Sequence, residues 1–258
     1  MKLSGIKALK TGVKAYGEAF SFIRKHQLGY FFLFPLIFSI LLIVSGWQGT
    51  TWLTTLVLEQ LNSALDFEQW TFLGASILAF IIKSFIWLTF RILFLLMITY
   101  LGGYIIIILM SPLYALLSEK TAALLTQTEI PFSFNQFISD IFRGVLLAIR
   151  NLLIETSLTI LLLIFSFIPI IGLASAPAML LITSYFYGFA FIDYSLERQR
   201  YGIKQSIRTI SNYKGEAIGI GLPFTLVLSV PFVGSFAAAF LSIPAVVAAT
   251  LVSTRHIR

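Results

Sequence analysis

Apolar positions at the start of this chain fall at intervals of three and four: Ile6, Leu9, Val13, Tyr16, Phe20 and Ile23. Lys7, Lys10, Lys14, Glu18 and Lys25 fall between them, which places charge on the opposite side of a helix. Residues 1–28 are therefore predicted to form an amphipathic helix with a basic face. Such a helix suits the headgroup region of a membrane or the cytoplasmic surface of the protein itself. A secretory signal would have concentrated its charge before a single apolar run.

Beyond residue 28 the periodicity gives way to continuous apolar runs. Residues 29–44, extended to Gly46, approach the ~18 residues that a membrane crossing needs. Residues 71–110 are apolar except for Lys83 and Arg91, and as one helix they would extend about 60 Å. Two later runs share an unusual interruption: Phe167-Ile168-Pro169-Ile170-Ile171-Gly172 and Ser229-Val230-Pro231-Phe232-Val233-Gly234. A Pro-x-x-Gly step ordinarily marks a turn, but a turn in water carries Asn, Asp or Ser. Apolar turns between apolar arms fit tips buried in a membrane or in protein. The arms before the two elbows, 157–168 and 217–230, read as about 18–21 Å of helix, short of the ~30 Å hydrocarbon core. The expectation is two helical hairpins that enter the membrane only partway. Including Arg150 and Glu155 in the first arm would make it long enough to cross.

Composition agrees with a membrane protein. Hydrophobic residues are 58% and charged residues 11%, where a soluble domain carries about a quarter charged. The net charge of +7 changes the picture through its distribution. Residues 1–28 hold six basic residues against one acidic, whereas 48–70 hold Glu59, Asp66 and Glu68 with no Lys or Arg. Basic segments stay on the cytoplasmic side, so the N-terminus is predicted inside and residues 47–70 outside. Trp47, Trp52 and Trp70 fit an aromatic belt at that outer interface. Lys120, Arg143, Arg150, the cluster from Arg198 to Lys214, and the terminal Arg255 and Arg258 put the remaining loops and the C-terminus inside. The basic excess is assigned to anionic lipid, and no nucleic-acid partner is expected.

Candidate chemistry is sparse. Lys83 and Arg91 are ionisable residues within an apolar run, a functional signal by default, and lie roughly 80° apart around a helix. They either draw an anion towards a pathway or snorkel to the interface. Helices beginning after Gly172 and Gly234 would offer backbone N–H groups to an anion, with Ser175 and Ser235 as hydroxyls and Ser235 placed as an N-cap. Alternatively these glycines only permit tight turns and close packing. Asp193 is expected to pair with Arg198 or Arg200. The step Gly215 to Gly219, with Ala237 to Ala239, predicts close helix contacts. His26 and His256 stand apart, and cysteine is absent. No metal site, cofactor or enzymatic centre is expected.

The order of these features resembles the CysZ-type sulfate permeases and the etoposide-induced membrane proteins. The matching residues are Pro35, Ser111-Pro112-Leu113, Leu117-Ser118-Glu119-Lys120 and the first elbow. Asp193-Tyr194, Gly219-Ile220-Gly221, Val230-Pro231, Pro244-Ala245-Val246 and Ala249-Thr250 complete them. The resemblance implies an all-α inner-membrane protein with two long spanning helices and two pairs of partly inserted ones. It also implies homo-oligomers and passage of sulfate without an ATP-hydrolysing subunit. Consistently, the chain has no phosphate-binding Gly-x-x-x-x-Gly-Lys-Ser/Thr loop. The permeases carry a Gly-apolar-Arg-Arg turn before the first span, implied to engage sulfate. Gln27, Leu28, Gly29 and Tyr30 stand there in this chain, and Arg24 and Lys25 are the nearest cations upstream.

The predicted organisation is a single membrane domain over 1–258. It comprises the amphipathic helix 1–28, spanning helices within 29–110 with an outer segment 47–70, and cytoplasmic-side helices at 111–156. The first hairpin at 157–192, a cytoplasmic basic loop at 193–216 and the second hairpin at 217–252 follow. The leading expectation is an anion permease of the bacterial inner membrane, with sulfate and membrane lipids as partners. The competing one is a non-transporting protein that organises membrane or binds lipid, favoured by the basic amphipathic helix and the missing arginine pair.

Overall fold

The computed structural model describes residues 5–65, 74–127, 134–230 and 233–256. Among these residues the chain is helical apart from short connections, without a strand. The order is α1 (Gly5–Lys25), a 3-10 turn (Leu28–Phe32), α2 (Leu33–Leu65), α3 (Ala75–Thr126) and α4 (Phe134–Ser166). Then come α5 (Pro169–Arg198), α6 (Ile203–Asn212), α7 (Lys214–Leu228) and α8 (Gly234–His256). Six segments among the described residues are long and apolar enough to cross a membrane: Leu28–Ala64, Ala75–Met97, Tyr104–Thr126, Phe142–Ser166, Gly172–Arg198 and Gly234–Arg255.

The core sits around α8. This helix is built largely from Ala, Val and Ser, and Ala238, Ile243 and the run from Ala245 to Ala249 are fully or almost fully buried. The lower half of α3 packs on it through polar pairs. Tyr114 Oη donates to Ser242 Oγ at 2.5 Å, and the Ser118 and Thr250 hydroxyls meet at 3.0 Å. Ser253 Oγ donates to Ser195 Oγ of α5. Small and hydroxyl residues let helices approach without a hydrophobic driving force, which is how helices associate in lipid.

The tightest approach joins α5 to α7. A Cβ on Gly188 would collide with the Ala217 carbonyl, and one on Gly221 would collide with that of Ser184, so the two backbones touch directly. Gly12 of α1 rests on the backbone between Glu216 and Ile220, and Gly215 and Gly219 face Ala8 and Leu9. The Gly-x-x-x-Gly step is thus spent within the chain, on α1. Tyr16 anchors the same contact, its phenol donating to the Ile220 carbonyl at 2.6 Å. Burial pushes that phenol above its ordinary range.

Four boundaries differ from those read in the sequence. The helix of the first span does not end near Trp47: α2 continues to Leu65. Of the predicted outer segment, residues 66–70 lie outside the described residues. The division expected at residue 110 falls inside α3, which runs through Pro112 for 52 residues, about 78 Å. Its window within Ala75–Met97 has no buried residue, whereas that within Tyr104–Thr126 is 56% buried, so one helix serves both an exposed hairpin with α2 and the core. The arm before the first elbow is α4, 33 residues that include Arg150 and Glu155. At about 50 Å it exceeds the hydrocarbon thickness, and length no longer argues for partial insertion there. The loop expected at 193–216 is the end of α5, all of α6 and the start of α7, and Asp193 to Glu197 are buried.

Candidate functional site

Lys25 ends α1 and lines an open cleft of about 580 Å³ together with Gly17, Glu18, Ser21, Phe22, Leu125, Leu251 and Arg255. The cleft lies where α1 meets the C-terminal turns of α3 and α8. Arg255 Nη1 donates to Glu18 Oε2 at 2.6 Å, so two cations and one carboxylate face the space beside the Ser21 hydroxyl. Arg24 is exposed and does not line it. After α1 the backbone turns at Gln27, whose φ of 55° is left-handed. Glycine reaches that conformation most cheaply, and glycine is what the resemblance sets at this position.

Arg91 faces α2. Its guanidinium donates to Thr50 Oγ1 at 2.5 Å, to Thr51 Oγ1 at 2.9 Å and to the Trp47 carbonyl at 3.3 Å. The same group lies 3.8 Å above the Trp47 ring and 5.3 Å from that of Trp87. A cation held by hydroxyls and aromatic faces ties α2 to α3 where apolar surface alone would not. Lys83 is exposed two turns earlier and has an interaction of its own.

At the first elbow, α5 begins at Pro169, ahead of the predicted start after Gly172. The Gly172 N–H donates to the Ile168 carbonyl at 2.7 Å, and the Gly234 N–H donates to that of Val230 at 2.8 Å. Ser175 is buried and its hydroxyl donates to the Gly172 carbonyl at 2.7 Å. Ser235 also has a partner. A Cβ at Gly172 or Gly234 would strike the carbonyl of Ser166 or Leu228, so these glycines admit the end of the preceding helix. The apolar flanks are exposed: Phe167 is 84% and Leu173 85% accessible in the single chain. Pro231, Phe232 and the side chains of Ile170 and Ile171 lie outside the described residues.

Two buried carboxylates have partners that the sequence reading did not assign. Asp193 pairs with Arg143 of α4, not with Arg198 or Arg200. Arg143 donates to both carboxylate oxygens at 2.9 Å and to Ser206 Oγ of α6 at 2.7 Å, with Glu197 at 3.4 Å. Fifty residues separate the partners, and a local reading of charge finds only neighbours. Glu155 is buried between helices, accepting from the Tyr104 phenol and bonded to Thr183. Among the described residues no three His, Asp or Glu side chains converge as metal ligands.

The arrangement is a bundle of apolar helices with a cleft at one end, lined by two cations and one carboxylate. Comparison with known proteins places it. The family described as Sulfate transporter CysZ/Etoposide-induced protein 2.4 matches residues 15–239. The chain belongs to that family. Among its relatives, Sulfate transporter CysZ of Pseudomonas fluorescens (strain Pf0-1) is 27% identical, over 98% of this chain and 94% of that protein. Sulfate transporter CysZ of Pseudomonas paraeruginosa (strain DSM 24068 / PA7) is 24% identical, over 86% of this chain and 87% of the relative. As a member of the CysZ family, with six apolar segments of spanning length among the described residues, the chain is an all-helical, multi-pass membrane protein.

Proposed function

We propose that this protein is a sulfate uptake permease of the bacterial inner membrane. The observation that carries the reading is the family match over 15–239, together with near full-length similarity to proteins named Sulfate transporter CysZ. The cleft at Lys25 and Arg255 is where the anion is first held, because it brings two cations to one open space. Glu18 neutralises part of that charge, which suits weak, reversible capture. Arg91 acts as the clamp of the α2–α3 hairpin, outside the anion path.

In the same reading the N-terminus, the α5–α7 connection and the C-terminus face the cytoplasm, and the far end of α2 faces outward. The second hairpin inserts partway: α7 has 15 residues, about 22 Å, and apolar Val230 and Val233 project from its tip. The protein works as a homo-oligomer, which would cover the apolar face left open by the far half of α2, beyond Trp47, and by residues 75–97 of α3. The cleft-lining Lys25 and the family match favour transport over a purely membrane-organising role. The exposed Ile6, Val13 and Phe20 beside the α1 lysines favour the latter.

Growth on sulfate as sole sulfur source tests the reading in a bacterial strain stripped of its own sulfate uptake systems. Expression of this chain should restore growth, and a Lys25→Glu, Arg255→Glu variant present at equal level should not. Rescue by the double variant would remove the cleft from the path, and no rescue by the unmodified chain would oppose the permease reading.

A further inference from the structure

A second recess lies at the start of α2, away from the cleft. It measures about 440 Å³ and is lined by Tyr30, Phe31, Phe34, Leu113, Leu116, Glu119 and Lys120. Its two ends differ in chemistry. At the polar end Lys120 Nζ donates to Tyr30 Oη at 2.9 Å and lies 5.2 Å from the centre of that ring. The ammonium has three donors and spends one on the phenol, leaving the phenol O–H and two ammonium protons to point elsewhere. Accepting from a cation also polarises the phenol and strengthens it as a donor.

The other end is apolar and opens sideways. Phe34 is 39% exposed and Leu116 40%, and Leu33, Ile37 and Leu41 continue the same uncovered surface along α2 at 59%, 52% and 56%. A recess with one cationic end and an apolar wall leading onto membrane-facing helix is amphipathic in the same sense as a phospholipid. A free divalent oxyanion fits less well: it would meet one cation, the Glu119 carboxylate and aromatic walls. A phosphodiester carries a single negative charge, which one lysine balances, and its acyl chain covers Phe34, Leu113 and Leu116. Glu119 lines the same recess, has an interaction of its own, and repels a single negative charge less than a double one. The volume lies within the roughly 300–1,000 Å³ of small-molecule sites.

We propose that this recess binds an anionic phospholipid, with its phosphate on Lys120 and Tyr30 and an acyl chain along Phe34 and Leu116. The site shares Tyr30 with the turn that the resemblance sets before the first span, but a bound lipid does not depend on sulfate passage, and the absence of sulfate flux would leave it standing. It fixes the 3-10 turn and the start of α2 to the last turns of α3 through a bound lipid.

The full-length chain, purified in detergent and incubated with phosphatidylglycerol, is analysed by native mass spectrometry for retained lipid. The unmodified protein should retain it, and Lys120→Ala should lower retention about fivefold, the effect of one cation at an anionic lipid. Leu116→Gln, which removes no charge, should also lower it, while exposed Lys204→Ala should not. Equal retention of phosphatidylcholine, or full retention by either Lys120→Ala or Leu116→Gln, overturns the proposal. So does displacement of the lipid by sodium sulfate where sodium chloride of equal ionic strength leaves it bound, since that result assigns the recess to free oxyanions. Folding of each variant is checked by circular dichroism and size exclusion. Because Lys120 and Leu116 are exposed side chains, both variants should pass.

Discussion

Replacing Arg91 by Gln separates a structural cation from a transport cation. In the structure the guanidinium bridges Thr50, Thr51 and the faces of Trp47 and Trp87. Interhelical hydrogen bonds in membranes average about 0.6 kcal/mol each, so the two threonine bonds contribute roughly 1.2 kcal/mol. The cation over Trp47 at 3.8 Å adds about 1 kcal/mol, within the usual range for such contacts. The expected loss is about 2 kcal/mol, close to a thirtyfold change in the equilibrium for hairpin opening. A double-mutant cycle with Trp47→Leu isolates the aromatic part, and a coupling of about 1 kcal/mol is expected. Unfolding in graded denaturing detergent supplies the free energies, and Trp47 and Trp87 emission reports locally because both rings flank the missing group. Sulfate flux per folded molecule should be unchanged. Lost flux with unaltered stability would refute the clamp and place Arg91 in the anion path.

Three further outcomes follow from the packing and charge. Gly221→Ala should destabilise by about 1–3 kcal/mol because the added methyl meets the Ser184 carbonyl. Gly17→Ala, with open space around it, should be neutral or stabilise slightly, and the pair is compared by thermal melts in one detergent. Arg143→Met removes the cation that pairs with buried Asp193 and should cost about 3–5 kcal/mol, with stability returning in part when Asp193→Asn is added. A cysteine at Ser63 should react with an impermeant maleimide from outside intact cells and one at Lys204 only after the inner face is opened. The reverse pattern would invert the topology.

The membrane class and the helical content were legible because lipid demands long apolar runs and leaves little room for other residues. The helix at the start was legible from its spacing, but its packing face was not: Tyr16 and Ile23 are buried with Ala8, Gly12, Ala15 and Ala19, whereas Ile6, Val13 and Phe20 stay exposed. The chosen contacts are glycine-sized, and nothing at Gly12 or Gly219 says which helix will fill the gap. Charges misled where they were taken as boundaries. Glu155 does not end a segment because Tyr104 and Thr183 receive it, and Asp193 is held by Arg143 from another helix. Those partners come from tertiary structure, so no local window contains them. Glu59 likewise leaves α2 unbroken, because an acid on an exposed helical face costs the helix little. Of the candidate site residues, Lys25 lines a cleft, Arg91 contacts Thr50, Thr51 and Trp47 of α2, and Gly172 and Ser175 bond to backbone carbonyls.

The most direct measurement is uptake of radiolabelled sulfate into liposomes containing only this purified chain. The account predicts saturable, time-dependent sulfate entry that exceeds protein-free liposomes and needs no nucleotide. Lys25→Glu with Arg255→Glu should lower it, and Arg91→Gln should leave it in place once normalised to folded protein. Entry indistinguishable from protein-free liposomes, with the chain shown to be folded and inserted, would contradict the account.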